Sequence, residues 1–202
     1  MEIIEVTQLK NGRVRIRLEG GLSFLLYKRE AARYAFEEGG YLTEEDWLEV
    51  RNEILVKRAK KRVMYLLQKQ DRTEKQLRDK LRENGYSEDI IEEAIDYVMS
   101  YHYVDDERYA ANYVHFNQER KSKTQLKVDL MQRGVSTEQI EQALEEELTV
   151  TSEELIHRWL TKKHYDASTA DDSARRKMYQ FLLRKGFRAD EIMRCMRIES
   201  DS

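Results

Sequence analysis

The sequence repeats with a period of about 50 residues, and this repeat restricts the possible folds more than any other feature of the chain. Gly85, Gly134 and Gly186 are separated by 49 and 52 positions. Apolar side chains recur eight and four positions before each glycine and one, six, nine and ten positions after it. Proline, which interrupts helices, is absent from all 202 residues, so we predict that uninterrupted helices build the repeats. The recurring residues are Leu77, Leu81, Tyr86, Ile91, Ala94 and Ile95, then Leu126, Leu130, Val135, Ile140, Ala143 and Leu144, then Met178, Leu182, Phe187, Ile192, Cys195 and Met196.

Each repeat has the pattern of three consecutive helices. The apolar pair before each glycine is spaced i, i+4, which places it on one helix face, and the glycine supplies the left-handed residue that ends this helix. Thr73 and Ser122 each precede a glutamine by three positions, the spacing of a capping box. Ser87 and Ser136 are placed to cap the helix after the glycine. Helical spacing further upstream adds the first helix of each repeat, through Leu55, Ala59, Val63 and Leu67, through Tyr109 and Tyr113, and through Leu155 and Trp159.

The first forty residues differ in kind from the repeats. EIIEVTQL and RVRIRLEG alternate apolar and polar side chains around the turn residues Asn11 and Gly12, which is typical of a β-hairpin. LSFLLY, after the Gly20-Gly21 turn, adds a third strand. Two short helices, one from Lys28 to Glu37 and one from Thr43 to about Glu53, are predicted to connect this sheet to the repeats.

These patterns predict a mainly α protein. Tandem three-helix, helix-turn-helix-like repeats form an elongated array, preceded by a small three-stranded N-terminal module. The third repeat is the least regular, because residues 166–173 lengthen its first connection and Asp172 or Ser173 must cap its second helix. The predicted domains are residues 1–54 for the N-terminal module and residues 55–103, 104–150 and 151–202 for the three repeats.

Charge is segregated inside the repeats, although the whole chain has a net charge of only −3. From Lys57 to Arg82 there are eleven basic residues and three acids, whereas Glu83 to Ser100 holds six acids and no base. In the second repeat, Glu119 to Arg133 has five bases and two acids, and Gly134 to Leu148 has five acids alone. Arg175 to Arg188, in the third repeat, has six bases and no acid.

The basic helices are the candidate functional surface. If the repeats stack in register, these helices align into a stripe that follows a polyanion. The alternative, that they are solvated faces with local ion pairs, stays open. The predicted partner-binding or DNA-binding residues are Lys57, Arg58, Lys60, Lys61, Arg62, Arg72, Lys75, Arg120, Lys121, Lys123, Lys127, Arg175, Arg176, Lys177, Arg184 and Lys185.

The acids in YHYVDDERYA invite a metal or catalytic interpretation. However, Asp105 is a good N-cap for the helix predicted to follow, and Asp106 and Glu107 suit the positive end of the helix dipole. No calcium-loop or metal-nuclease spacing follows them, and the chain has no phosphate loop, HExxH, GxSxG or CxxC motif. We therefore predict helix capping, with no catalytic residue, no metal site and no cofactor.

The tyrosines around these acids have helical spacing. We predict that they pack in the core between modules, with a base-stacking platform as the alternative. They are Tyr101, Tyr103, Tyr109 and Tyr113.

The sequence also indicates the cellular compartment in which the protein resides. The single cysteine, Cys195, has no partner for an intrachain disulfide. The start MEIIEVTQL has neither the basic region nor the apolar run of a signal peptide, and no apolar stretch approaches about 18 residues. We expect a cytoplasmic protein without membrane contact.

Three segments resemble the RecX family of bacterial regulators of the RecA recombinase. They are RTEKQLRDKLRENGYSEDIIEEAIDYV, YVDDERYAANYV and LKVDLMQRGVSTEQIEQAL, with a weaker likeness through YQFLLRKGF. The resemblance covers residues from about 55 to 198, and the N-terminal sheet resembles an extension that some members of the family carry.

The resemblance implies a protein that acts by binding and not as an enzyme. It would lie in the groove of the RecA filament on single-stranded DNA, bridge neighbouring RecA subunits, and hinder ATP hydrolysis and strand exchange. A weak direct contact with DNA stays open, and we expect a monomer. Two alternatives remain: a helical-repeat DNA-binding protein that acts without RecA, and a metal nuclease around Asp105, Asp106 and Glu107.

Overall fold

The computed structural model describes residues 1–10 and 12–198. The chain forms two compact units, of which the first ends at Asp105 and the second begins at Asp106. The first unit holds an N-terminal sheet and the first three-helix domain, and the second unit holds the other two three-helix domains. The predicted fold class, tandem three-helix domains with a small N-terminal sheet, is confirmed. The exact domain boundaries stay a prediction.

The N-terminal sheet has three antiparallel strands in sequence order, as predicted. They are β1 (Ile3–Gln8), β2 (Arg13–Leu18) and β3 (Ser23–Tyr27). Alternation decides which side chains face the core, so Val14, Ile16 and Leu18 of β2 are buried while the arginines between them point away. Of the predicted hairpin turn, Gly12 has a left-handed φ of 74°, and Asn11 lies outside the described residues.

The helix predicted from Lys28 to Glu37 is wrong in its length, because α1 spans only Lys28–Ala31. The chain turns at Ala35, whose φ is 46°. This turn brings Phe36 edge-on to Phe24 of the sheet, with ring centroids 6.0 Å apart. Aromatic packing against the sheet therefore outweighs helix continuation here.

The second connecting helix does not end near Glu53 as predicted. Helix α2 (Glu44–Glu49), capped by Thr43, continues through a π-helical segment (Val50–Val56) directly into α3 (Lys57–Lys69). No glycine or proline stands between Tyr41 and Asn84 to stop it. The π-helical segment buries Val50, Leu55 and Val56 in the core that the sheet and the first domain share.

The remaining helices follow the repeat. The first domain continues with α4 (Glu74–Glu83) and α5 (Glu88–Ser100). The second consists of α6 (Asp106–Asn117), α7 (Lys123–Gln132) and α8 (Thr137–Glu147). The third consists of α9 (Ser152–Lys162), α10 (Asp172–Arg184) and α11 (Ala189–Ile198). Most of the recurring apolar residues are buried, in three clusters of which the second and third belong to the second and third domains.

The three repeat glycines end helices as predicted, with φ of 84°, 88° and 80°. At the first, the amide of Gly85 donates to the carbonyl of Arg82 (2.9 Å) and the amide of Tyr86 donates to that of Leu81 (3.3 Å). This is a Schellman motif, which folds the residue after the glycine back onto the helix. It explains why that residue is apolar in every repeat.

Most predicted helix caps are confirmed. Thr73 and Ser136 form capping boxes, and Ser122 accepts a hydrogen bond from the amide of Gln125. Ser87 stands at the cap position of α5, but its side chain makes no capping hydrogen bond.

The cap predicted for α10, Asp172 or Ser173, is wrong. Asp171 takes this role, because its carboxylate accepts a 2.7 Å hydrogen bond from the amide of Ala174. Asp172 is already the first helical residue, so its side chain lies past the position from which a cap reaches the free amides.

Candidate nucleic-acid interface

A groove of about 420 Å³ in the first unit brings together predicted and unpredicted basic residues. Strands β2 and β3 form one side, and α3 with the turn between α4 and α5 forms the other. We call it the sheet groove. Its polar and aromatic lining includes Arg13, Tyr27, Arg58, Lys61, Arg62, Tyr65, Asn84 and Tyr86, and no carboxylate lines it among the described residues.

The wall of the sheet groove is held in place by Arg58. Its guanidinium donates to the Glu30 carboxylate (2.9 Å) and to the backbone carbonyl of Leu25 (2.5 Å). The same group lies over the rings of Tyr27 and Tyr86, 5.1 and 5.9 Å from their centroids. Burial raises the pKa of Tyr86, although the nearby Arg58 opposes this shift. Arg58 therefore positions the side chains around it, and because Glu30 already neutralises its charge, it is not available to bind an anion.

Three other cations of the sheet groove are available to an anion. Arg13, Lys61 and Arg62 form no ion pair with any acid in the described part of the chain. The Nε of Arg62 donates to the neutral side-chain oxygen of Asn84 at 3.1 Å. Arg13 lies 5.4 Å from the Tyr27 ring centroid, and Arg62 lies 5.7 Å from that of Tyr65. Each of these two arginines therefore lies beside a tyrosine ring of the groove.

A second basic and aromatic site lies in the second unit, around Trp159 on α9. Lys185 and Lys162 lie 4.7 and 5.1 Å from centroids of its ring system. We call this site, of about 520 Å³, the Trp159 cleft. Five cations and two acids line it, together with Gln125 and Trp159: Arg120, Lys121, Arg158, Lys162, Lys185, Glu119 and Asp129.

One cation of the Trp159 cleft is already neutralised. Lys121 donates to the carboxylate of Asp129 (2.6 Å) and to the Tyr113 hydroxyl (2.5 Å). Burial acts to raise the pKa of Asp129, but the hydrogen bonds from Lys121 and Tyr113 outweigh it and the pKa is lowered. The cations left for a partner are Arg120, Arg158, Lys162 and Lys185, although Arg158 lies 3.6 Å from Glu119.

Several other predicted residues form ion pairs inside their own unit. Lys60 contacts Glu93 of α5 at 3.0 Å, and its hydrogen bond lowers the pKa of that carboxyl despite partial burial. The acidic third helix therefore neutralises part of the basic first helix. The further pairs are Lys57 with Glu53, Lys75 with Asp79, and Lys127 with Glu141.

The remaining predicted residues lie outside both sites. Arg72, between α3 and α4, has a buried Nε without a hydrogen-bond partner among the residues that the structure describes. Arg175 donates to the carbonyl of Ala167 at 3.2 Å and, with Arg176, lines an apolar pocket beside Tyr179. Lys123, Lys177 and Arg184 are exposed on α7 and α10.

The acids at the start of α6 are placed as the capping prediction requires. The helix begins at Asp106, so Asp105 occupies the cap position and Asp106 and Glu107 occupy the first turn. In the described ranges no group of three or more histidine, cysteine, aspartate or glutamate side chains is arranged to hold a metal ion. The capping hydrogen bond of Asp105 stays a prediction.

The prediction that the tyrosines pack in a core is confirmed for Tyr109 and Tyr113 and wrong for Tyr101 and Tyr103, and the position of this core between modules stays a prediction. Tyr109 and Tyr113 pack against the core of the second domain. Tyr101 and Tyr103 are 56% and 46% exposed, and their rings stack on each other at 5.6 Å. Between these two rings the chain passes through His102, which has a left-handed φ of 55°.

The structure therefore defines a helical repeat protein, built from three-helix domains with basic and aromatic surface sites. Three domain families match consecutive parts of the chain: the first, second and third three-helix domains of RecX, at residues 59–97, 105–144 and 151–196. The chain belongs to the RecX family.

Curated relatives and solved structures agree with this assignment. The regulatory protein RecX of Caldanaerobacter subterraneus subsp. tengcongensis is 30% identical over 190 residues, which cover 94% of each chain. That of Clostridium botulinum strain Eklund 17B is 29% identical over 197 residues, covering 94% of this chain and 91% of the relative.

Two crystal structures resemble the fold. A regulatory protein RecX has a TM-score of 0.63 at 23% identity, covering 100% of this chain and 99% of the other. RecX from Lactobacillus salivarius has a TM-score of 0.59 at 25% identity, covering 72% of this chain and 97% of the other. No helix within residues 1–10 and 12–198 is long and apolar enough to cross a membrane.

Proposed function

We propose that the protein regulates the RecA recombinase by binding the RecA filament on single-stranded DNA. In this proposal one monomer bridges neighbouring RecA subunits and hinders ATP hydrolysis and strand exchange without catalysing a reaction itself. The observation that carries the proposal is the consecutive match of all three domains to the three RecX domains.

The charge distribution supports binding to a composite surface of protein and DNA. Each unit carries its own basic and aromatic site, so one molecule can make two separate contacts along a filament. A strong independent DNA-binding protein would be far more basic than this chain, whose sequence pI is about 5.9. We assign to this contact the cations of the predicted set that line the two sites without an ion pair in the described structure, which are Lys61, Arg62, Arg120 and Lys185.

The proposal is tested by RecA ATPase activity on single-stranded DNA with this protein titrated in. We expect inhibition at fewer than one molecule per RecA subunit, because one bridging molecule affects more than one subunit. A flat titration would reject the proposal.

A charge-matched pair of variants tests the contribution of the Trp159 cleft. Arg120→Glu/Lys162→Glu reverses two cations of the Trp159 cleft that have no ion pair in the described structure. Lys10→Glu/Arg29→Glu makes the same change of charge at exposed residues outside both sites. We expect weaker inhibition by the first variant only. Equal loss in both would show that net charge, and not the Trp159 cleft, determines inhibition.

A further inference from the structure

The sheet groove combines two features that one class of ligand requires. Its available cations, Arg13, Lys61 and Arg62, provide positive charge that no acid in the lining offsets. Its rings include Tyr27 and Tyr65, which are 42% and 50% exposed. An acidic peptide would use the cations but would not need exposed ring faces beside them. A single-stranded nucleic acid uses both, because phosphates meet the cations and bases stack on the rings.

We propose that the sheet groove binds single-stranded nucleic acid directly, without RecA. Arg13, Lys61 and Arg62 contact consecutive phosphates, and Tyr65 stacks against a base. Arg58 does not contact the strand in this proposal. It positions the ring of Tyr27 at the edge of the sheet. A duplex does not fit this chemistry, because its bases are already stacked on one another.

The N-terminal sheet is therefore part of the binding site. Arg13 stands on β2 and Tyr27 ends β3, so the sheet supplies one cation and one ring. The sheet lies close to the first domain at Gly85, where an added Cβ would come within 2.5 Å of Leu25 Cδ1. Leu25 and Gly85 both line the groove, so the sheet and the turn between α4 and α5 meet at the site, and the helical repeat alone does not define it.

The test is fluorescence anisotropy with a labelled oligothymidylate of about 12 nucleotides, within the range of such sites, in the absence of RecA. The full-length chain carries Arg120→Glu/Lys162→Glu in every sample, so that the Trp159 cleft does not bind in parallel. In this background we expect Tyr65→Ala to weaken binding at least about fivefold and Tyr65→Phe to preserve it, since the ring face supplies the interaction. Arg13→Gln should make the slope of log affinity against log salt shallower by about 0.7.

Matched controls distinguish an effect of the groove residues from the effect of removing any positive charge or any exposed aromatic ring. Arg15→Gln removes the same charge two residues along β2, outside the groove lining, and Tyr41→Ala removes a tyrosine that is 76% exposed elsewhere. Neither should change affinity or salt slope. The proposal is overturned if the control variants lose as much affinity as the groove variants, or if an abasic strand binds as tightly as oligothymidylate. It is also overturned if the parent chain does not bind in this background.

The result of this binding test is independent of the proposed regulation of RecA. Inhibition of RecA with no binding of the bare strand would remove only the groove proposal. Binding of the strand with a flat RecA titration would remove only the RecA proposal.

Discussion

The hydroxyl of Ser122 donates a 2.7 Å hydrogen bond to the backbone carbonyl of Lys185 and accepts one of 3.2 Å from the amide of Gln125. One buried side chain thus caps the start of α7 and the end of α10. These helix ends carry partial charges of opposite sign, which favours their approach. The contact joins the second and third domains within the second unit and places Lys185 beside Trp159.

Ser122→Ala should lower the free energy of unfolding of the second unit by about 2 kcal/mol, because it removes a cap and leaves the Lys185 carbonyl without this donor. Urea unfolding followed by Trp159 fluorescence in a Trp47→Phe background measures this unit. Ser136→Ala is the control, since Ser136 is an exposed cap of α8 alone. It should cost about 1 kcal/mol. Equal losses would show that the bond to Lys185 contributes nothing.

Gly186→Ala should destabilise the protein more than Gly20→Ala. Both glycines have left-handed φ, 80° and 85°, so an alanine at either is strained by about 1 kcal/mol or more. Only at Gly186 would the new Cβ meet other atoms, 2.8 Å from Ser122 Oγ and 3.2 Å from Thr124 Cβ. Urea unfolding should therefore show a smaller cost for Gly186→Ala when Ser122 is already alanine. Additive costs of the two changes would contradict this contact.

His164→Gly should raise stability by about 0.5 to 1 kcal/mol. His164 ends α9 in the left-handed region, with φ of 51°. The amides of His164 and Tyr165 donate to the carbonyls of Thr161 and Leu160, both at 3.0 Å, which is the geometry that glycine provides at the other helix ends. His157→Gly, in the interior of α9, should instead lower stability by about 1 kcal/mol. A loss from both substitutions in thermal or urea unfolding would show that the His164 side chain outweighs its strained backbone.

The repeat and its cores could be predicted because local spacing determines them. An i, i+4 pair followed by a left-handed glycine fixes which side chains face inward, and Leu126 and Leu130 are accordingly fully buried. The turn at Ala35 could not be predicted in this way. It depends on Phe36 meeting Phe24, a contact between elements whose relative position the sequence pattern does not contain.

The candidate sites also depend on contacts between elements that the sequence pattern does not contain. Alternation along β2 predicts that Arg13 points away from the core, but not that it lies beside Lys61 and Arg62. Recurrent charge located the basic helices, yet it could not distinguish the available Lys61 from Lys60, which Glu93 neutralises. Arg158, Trp159 and Lys162 were missed because they stand on α9, where two acids balance the two basic residues.

The ion pairs between α4 and α5 should make the first unit sensitive to acid. A hydrogen bond from Arg78 lowers the pKa of Glu92 below its ordinary value of 4.5, and one from Arg82 lowers that of Glu88. Protonation then favours the unfolded chain, whose carboxyls have the higher pKa. The stabilisation is fully present above pH 4.5 and is lost as the pH falls through the lowered values.

Arg78→Gln tests this acid sensitivity, because Arg78 contacts both Glu74 (2.6 Å) and Glu92 (2.6 Å). Urea unfolding of the first unit, followed by Trp47 fluorescence in a Trp159→Phe background, should show a larger loss from this substitution at about pH 6 than at about pH 3, since the stabilisation from the Glu92 carboxylate is lost as the pH falls through its lowered pKa. Lys61→Gln, which removes a cation without an acidic partner in the described structure, should leave the pH dependence unchanged. The same decline with pH in wild type and Arg78→Gln would mean that other carboxylates cause the acid sensitivity.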